Sequence, residues 1–275
     1  MLITFIGGGN MATALISGLV NPPRAHLKIR VCDPSDQARK HLESTFGVPT
    51  FTDAVAATEG ADVIVLAVKP QSMPVVLASL KGQVSPDQLV LSIAAGITIS
   101  SICDELGKDR AVIRSMPNTP ALIGHGITGV VAGLQCNPLQ REQAEEILSA
   151  AGEVVWLEEE SQMDAVTAVS GSGPAYFYLL MEILTDCAQE MGLSAGLAIK
   201  LVQQTALGAA DSAMIPAADI LKLRASVTSK GGTTHAAISA LEEAGIRDIF
   251  CNALKAARDR SIELGNAGAT PEKEK

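Results

Sequence analysis

The sequence predicts an α/β chain in which a doubly wound parallel sheet comes first and an all-α region follows. Three observations carry that expectation. Over the first half, short β-branched runs alternate with helical stretches, the pattern of strands joined by covering helices. One run, Val63-Ile64-Val65-Leu66-Ala67-Val68, is apolar without interruption, as a strand buried on both faces must be. Beyond about residue 159 the strand signal stops and long apolar helical stretches take over.

In chain order, strands are expected at 2–6, 28–32, 63–68, 89–93, 111–114, 126–131 and 154–157. Helices are expected between them near 11–20, 35–46, 71–80 and 138–151. In the second half the helices fall at 175–191, 194–213, 217–223, 234–243 and 246–264, with Pro216 and Gly245 as breaks. Within 175–191, Glu182, Asp186 and Glu190 recur every four residues, so one narrow acidic stripe faces water and the rest of the circumference is apolar. Such a helix needs more partners than one small bundle supplies, which points to a C-terminal dimerisation domain, the alternative being a helix buried within its own monomer. The expected division is 1–159 for the sheet domain, 160–265 for the helical domain and 266–275 for a disordered polar tail.

Composition excludes several function classes. A net charge of −9 with no basic run repels polyanions, and aromatics at 3% supply few stacking platforms, so nucleic acid and anionic membranes are poor partners. No uncharged apolar stretch reaches the roughly 18 to 20 residues of a membrane-spanning helix, and no leader pattern opens the sequence. Five scattered cysteines without a C-x-x-C pair suit reduced thiols in a cytoplasm, and the four histidines never approach a metal-ligand spacing. No structural metal is expected. Nucleophile-elbow, metalloprotease and phosphate-loop lysine motifs are absent too, so a cofactor must carry the hard chemistry.

That cofactor is indicated at the start of the chain. Ile6-Gly7-Gly8-Gly9-Asn10-Met11-Ala12 reads as G-x-G-x-x-A directly after a strand and before a helix. Gly7 permits the tight turn, Gly9 lets backbone approach a pyrophosphate, and Ala12 allows close helix–strand packing. This is the turn of a Rossmann-type, dinucleotide-binding sheet. Asp33 follows 26 residues after Gly7, where a carboxylate can accept from the ribose hydroxyl of NAD, although an Asp-Pro-Ser run also suits a helix cap. Arg39 in the next helix could instead accept a 2′-phosphate, so NADH and NADPH both remain open.

Ala67, Val68, Lys69 and Pro70 leave a central strand at the carboxyl edge, where open sheets bind ligands. Lys69 there can reach a phosphate or ribose, or stand as a solvated surface charge. Ser92-Ile93-Ala94-Ala95-Gly96 ends the following strand at the same edge with residues small enough for a flat nicotinamide. In Met116-Pro117-Asn118-Thr119-Pro120 the prolines stiffen a loop that either presents Asn118 and Thr119 beside the cofactor or is an ordinary rigid turn. Ser170-Gly171-Ser172-Gly173-Pro174 precedes the long helix. The stretch from Ser226 through Ser229, Gly232, Thr233 and Thr234 to His235 offers successive amides and hydroxyls before a helix, a carboxylate nest or a plain capping loop.

With these motifs in order, the chain closely resembles the pyrroline-5-carboxylate reductase family over nearly its whole length. The most specific segments are Val169-Ser170-Gly171-Ser172-Gly173-Pro174-Ala175-Tyr176 and Val227-Thr228-Ser229-Lys230-Gly231-Gly232-Thr233-Thr234. The resemblance implies that Ile6 to Met11, Val68, Lys69 and the Ala94-Ala95 turn serve the cofactor. It implies that Ser229, Gly232, Thr233 and Thr234 hold the substrate carboxylate, with Thr234 near the imine nitrogen. Glu160 falls where the family places an acidic substrate-side residue, though it also belongs to the run Glu158-Glu159-Glu160. Two departures stand out: Asp53-Ala54 occurs where the family often has Asn at the adenosine ribose, and Lys230 where Pro is common.

The implied reaction is hydride transfer from NADPH or NADH to the C=N carbon of 1-pyrroline-5-carboxylate, giving L-proline. The substrate enters protonated and Thr234 orients it. The implied assembly is a helical dimer, or five dimers in a ring, with each site completed by the partner's helical domain. Two other readings are another two-domain NAD(P)-dependent dehydrogenase and a dinucleotide sensor without turnover. The first should show a catalytic lysine with polar support, which Lys200 after Ala198-Ile199 lacks.

Overall fold

Continuous apolar strands need cover on both faces, and the helices between them supply it. The computed structural model describes residues 1–267. Its strands are β1 (Leu2–Ile6), β2 (Lys28–Cys32), β3 (Thr50–Phe51), β4 (Val63–Leu66), β5 (Leu89–Ser92), β6 (Ala111–Met116), β7 (Gly126–Ala132) and β8 (Gly152–Trp156). Interleaved with them are α1 (Asn10–Val20), α2 (Asp36–Phe46), α3 (Ala54–Thr58), α4 (Met73–Leu80), α5 (Ile99–Leu106) and α6 (Pro138–Leu148). There follow α7 (Met163–Val166), α8 (Gly173–Glu190), α9 (Ala195–Met214), α10 (Ile220–Ser226), α11 (Thr233–Glu243) and α12 (Ile246–Ala267).

The strand order is β3-β2-β1-β4-β5-β6-β7-β8. Chain order reverses between β1 and β4, so the carboxyl ends of these two strands frame the crevice where such sheets bind ligands. In β4, Val63 and Val65 join the core on one face of the sheet while Ile64 and Leu66 join that on the other. On the first face α1 contributes Leu15, Ile16 and Leu19; on the second, α4 contributes Leu77 and Leu80 and α5 Ile102. Helix starts follow their caps: Ser35 Oγ accepts from Ala38 N, Thr98 Oγ1 from Ser101 N, and Asn137 with Gln140 forms a reciprocal capping box on α6.

Two compact units result. One comprises residues 1–172 together with the end of α12 from Ala257 onward; the other is Gly173–Ala256. The first contains the whole sheet and α1 to α7. The second contains α8 to α11 and the start of α12. In this second unit α8 buries only Gly173 and Ala188, α9 only Ala198, and α10 and α11 bury none of their residues.

Several expectations need correction. The sheet is not wholly parallel: β6 pairs β7 antiparallel, and β8 runs parallel to β7. Residues 117–125 are too short for a parallel crossover, which takes a dozen or more, so the chain turns back. Two-residue β3 and short helices α3 and α5 were not among the expected elements. β3 and α3 are too short to show a period, whereas the spacing of Ile99, Ile102, Cys103 and Leu106 and the Thr98 cap were readable for α5. β4 ends at Leu66, ahead of Pro70, which opens a tight turn to Ser72, and β6 runs two residues further than expected, to Met116. Helix α10 begins at Ile220 and not at 217, because the Asp219 carboxylate accepts from Leu221 N and Lys222 N and Ala217 is in a left-handed conformation. Helix α12 continues through Asn266 and Ala267; the rest of the expected tail, 268–275, lies outside the described residues.

Candidate active site

Backbone geometry at the end of β1 explains its glycines one by one. Gly7 has φ +104, and a Cβ on it would stand 2.5 Å from Ala67 O, at the end of neighbouring β4. Only glycine fits there. A Cβ on Gly8 would meet Leu42 Cδ1 at 2.7 Å, whereas one on Gly9 would meet nothing within 4 Å. Gly9 is also the N-cap of α1, with no side-chain cap and no acidic residue in the first turn. The first amides of α1, beside Asn10 and Met11, therefore keep their hydrogen-bonding capacity and the positive end of the helix dipole. A pyrophosphate fits such a turn.

Asp33 closes this turn from the side. Its Oδ2 accepts from Gly8 N at 2.7 Å and its Oδ1 from Ser35 N at 2.8 Å. The helix cap itself is Ser35, so the Asp-Pro-Ser run caps α2 through its third residue. Arg39 Nη1 donates to Asp33 O at 2.8 Å and Pro34 O at 3.0 Å, and its Nη2 to Asp36 Oδ1 at 3.2 Å. Next to this edge the Cys32 thiol is held above its ordinary pKa by burial first, then by the Asp33 and Asp53 carboxylates, against a smaller opposing pull from Arg39.

At the end of β4, Ala67 and Val68 are half-buried and Lys69 is exposed. At the end of β5, Ala94 is buried and Ser115 Oγ donates to Ser92 O at 2.9 Å. Gly96 has φ +74, and a Cβ on it would come within 3.3 Å of Gly265 N, so the end of α12 packs on the turn that closes this edge.

The Asn118 side chain is 8% exposed in residue terms and both ends of its amide are engaged: Nδ2 donates to Ser170 O at 3.1 Å and Oδ1 accepts from Ile127 N at 3.0 Å. Ser170 lies in a π-helical turn, Thr167–Gly171, between α7 and α8. A widened turn changes which amide each carbonyl meets, and the Asn118 amide reaches the Ser170 carbonyl there. Glu160 likewise has protein partners. Its Oε1 accepts from Ile99 N at 2.9 Å and from Arg114 Nη1 at 2.8 Å. The Arg114 side chain, on β6, is 5% exposed. A buried guanidinium demands such a counter-charge, and Arg114 directly after the apolar run Ala111-Val112-Ile113 was the sequence signal for it.

In the helical unit, Gly231 has φ +77 and Gly232 N donates to Ser229 O at 3.0 Å, turning the chain into α11. Gly232 is the N-cap of α11 and supplies no side-chain cap, which leaves the amides of Thr233, Thr234 and His235 at an open helix start. A Cβ on Gly232 would lie 2.7 Å from Ser229 Oγ. Thr234 is half-buried; Ser229 and Thr233 are exposed. Ser226 Oγ donates back to Leu223 O at 2.8 Å within α10.

Among the described residues no group of His, Cys, Asp or Glu side chains is gathered as a metal site, and no helix is long and apolar enough to cross a membrane. Known proteins share this arrangement. A family described as pyrroline-5-carboxylate reductase dimerisation matches residues 160–264, and one described as NADP oxidoreductase, coenzyme F420-dependent, matches 2–96. The pyrroline-5-carboxylate reductase of Pseudomonas aeruginosa is 46% identical over 95% of this chain and 96% of its own length. The chain belongs to the pyrroline-5-carboxylate reductase family. The solved reductase of Coxiella burnetii superposes with a TM-score of 0.90 at 40% identity, covering 95% of this chain and 97% of that one. A Plasmodium falciparum pyrroline carboxylate reductase structure with NADP bound gives 0.85 at 29% identity, over 96% and 98%. The family region that spans the helical unit, 160–264, is described as a dimerisation domain, which supports self-association.

Proposed function

We propose that the chain reduces the C=N bond of 1-pyrroline-5-carboxylate, using NADPH or NADH, to give L-proline. The observation that carries the reading is whole-chain identity of 46% to a pyrroline-5-carboxylate reductase, which spans cofactor turn and substrate loop alike. Bound at the β1–α1 turn, the reduced nicotinamide supplies a hydride for the imine carbon.

The chain's own residues bind and orient. Ile6, Gly7, Gly8, Gly9, Asn10 and Met11 present an uncapped helix start to a pyrophosphate. Ala67, Val68, Lys69 and Pro70, with Ala94 and Ala95, border it from the neighbouring strand ends. In the helical unit the free amides at the start of α11, with Ser229, Gly232 and Thr233, suit the substrate carboxylate. Thr234 Oγ1 accepts from the N–H of the iminium and so fixes the ring's orientation. The iminium is the better hydride acceptor, and entry of the substrate in that protonated form dispenses with an acid at the nitrogen. Glu160 acts through Arg114 and α5, Asn118 through Ser170, and Ser226 through its own helix.

The working form is a homodimer built on the helical unit, assembled five-fold into a ring, in a cytoplasm where its free cysteines stay reduced. Loss of nicotinamide absorbance on mixing protein, reduced cofactor and pyrroline-5-carboxylate tests the reading. No decay with either cofactor would refute it and leave the dinucleotide-sensor alternative.

A further inference from the structure

β2 and β3 end side by side. Cys32 pairs with Phe51, and Asp33 N donates to Phe51 O at 3.1 Å, so Asp33 and Asp53 leave the sheet at one edge. That edge adjoins the glycine turn, since Asp33 holds Gly8 N. Asp53 is tied by Oδ1 to Val55 N at 2.9 Å, which fixes its carboxylate at the start of α3. The two cations at the start of α2 are already committed. Arg39 directs Nη1 at two carbonyls and Nη2 at Asp36, and Lys40 Nζ lies 2.7 Å from Asp36 Oδ2.

We propose that the adenosine end of the dinucleotide site selects NADH over NADPH, with Asp33 and Asp53 as the residues that set the preference. A ribose diol donates hydrogen bonds, and each carboxylate oxygen that takes one backbone amide keeps a lone pair for a hydroxyl. A 2′-phosphate carries a charge of about −1.5 to −2 and donates nothing useful to a carboxylate. It would stand beside two fixed negative charges, and the Arg39 guanidinium already serves two carbonyls and Asp36. Asp53 is the sharper determinant, because Asp33 also closes the glycine turn.

The inference rests on the dinucleotide site assigned above, and binding separates the two. Calorimetric titration of the full chain with NADH and NADPH, in about 0.1 M and about 1 M salt, reads affinity without turnover. NADH should bind about tenfold tighter or more at the lower salt, and the gap should narrow at the higher. Asp53→Asn should narrow it at low salt by roughly five- to tenfold, chiefly through tighter NADPH binding, with kcat/KM for the two cofactors following. Equal or tighter binding of NADPH by the unaltered protein overturns the preference, and an unchanged ratio in Asp53→Asn overturns the role of that residue. Failure of both dinucleotides to bind would refute the site itself.

Discussion

The sheet unit and the helical unit solve the burial problem in opposite ways. In the first, Ile3, Phe5, Leu15, Leu42, Ile64 and Leu91 are fully buried within a single chain. In the second, Phe177 remains 65% exposed, Met214 77% and Ile220 70%. A sheet covered on both faces closes its own core, whereas helices laid out with small residues as their only buried contacts leave a face for another chain. The sheet unit thus folds on local cover, and the helical unit's stability includes its dimer partner.

The largest expected effect attacks that dependence. Phe177, Leu180 and Leu184 form one stripe on α8 at spacings of three and four. The pair of changes Leu180→Asp and Leu184→Asp removes about 2 to 3 kcal/mol of burial each, enough together to weaken the dimer by more than about a thousandfold. Sedimentation should then show monomers whose sheet unit still melts cooperatively; an unaltered dimer would show that this stripe faces water.

Next comes the buried pair of the sheet unit. Glu160→Ala strands Arg114 and should cost about 3 kcal/mol, read as a fall in melting temperature, with Glu160→Gln milder because its carbonyl still accepts from Ile99 N. A stable Ala variant with a raised KM for substrate would return Glu160 to the substrate.

Gly9→Val should leave the melting temperature within about 1 °C, since a Cβ there meets nothing, while cofactor affinity falls by about a hundredfold or more. Unchanged affinity by titration would move the pyrophosphate elsewhere. The smallest effect is at the helical loop: Thr234→Ala should lower kcat/KM by roughly ten- to a hundredfold, about 1 to 3 kcal/mol, with cofactor affinity kept and most activity retained by Thr234→Ser. An Ala variant that melts early but turns over normally would make Thr234 a capping residue only.

The β1–glycine–α1 element, the parallel half of the sheet and the helices of the second half were legible in the residues alone. These depend on neighbours a few positions apart, and periodicity records such neighbours directly. The loop before α11 was legible too, since its two glycines between hydroxyl residues stand directly ahead of a helix. The reversal at β7 was missed although the short connection before it is countable, because strand periodicity carries no direction. Only tertiary contact assigned Glu160 to Arg114, 46 residues away, Asn118 to Ser170, and Ser261 to Asp164, 97 residues away. A carboxylate or amide can satisfy many partners, and its residue type alone does not choose among them; the folded chain chooses by bringing one within hydrogen-bonding distance while excluding water from the rest.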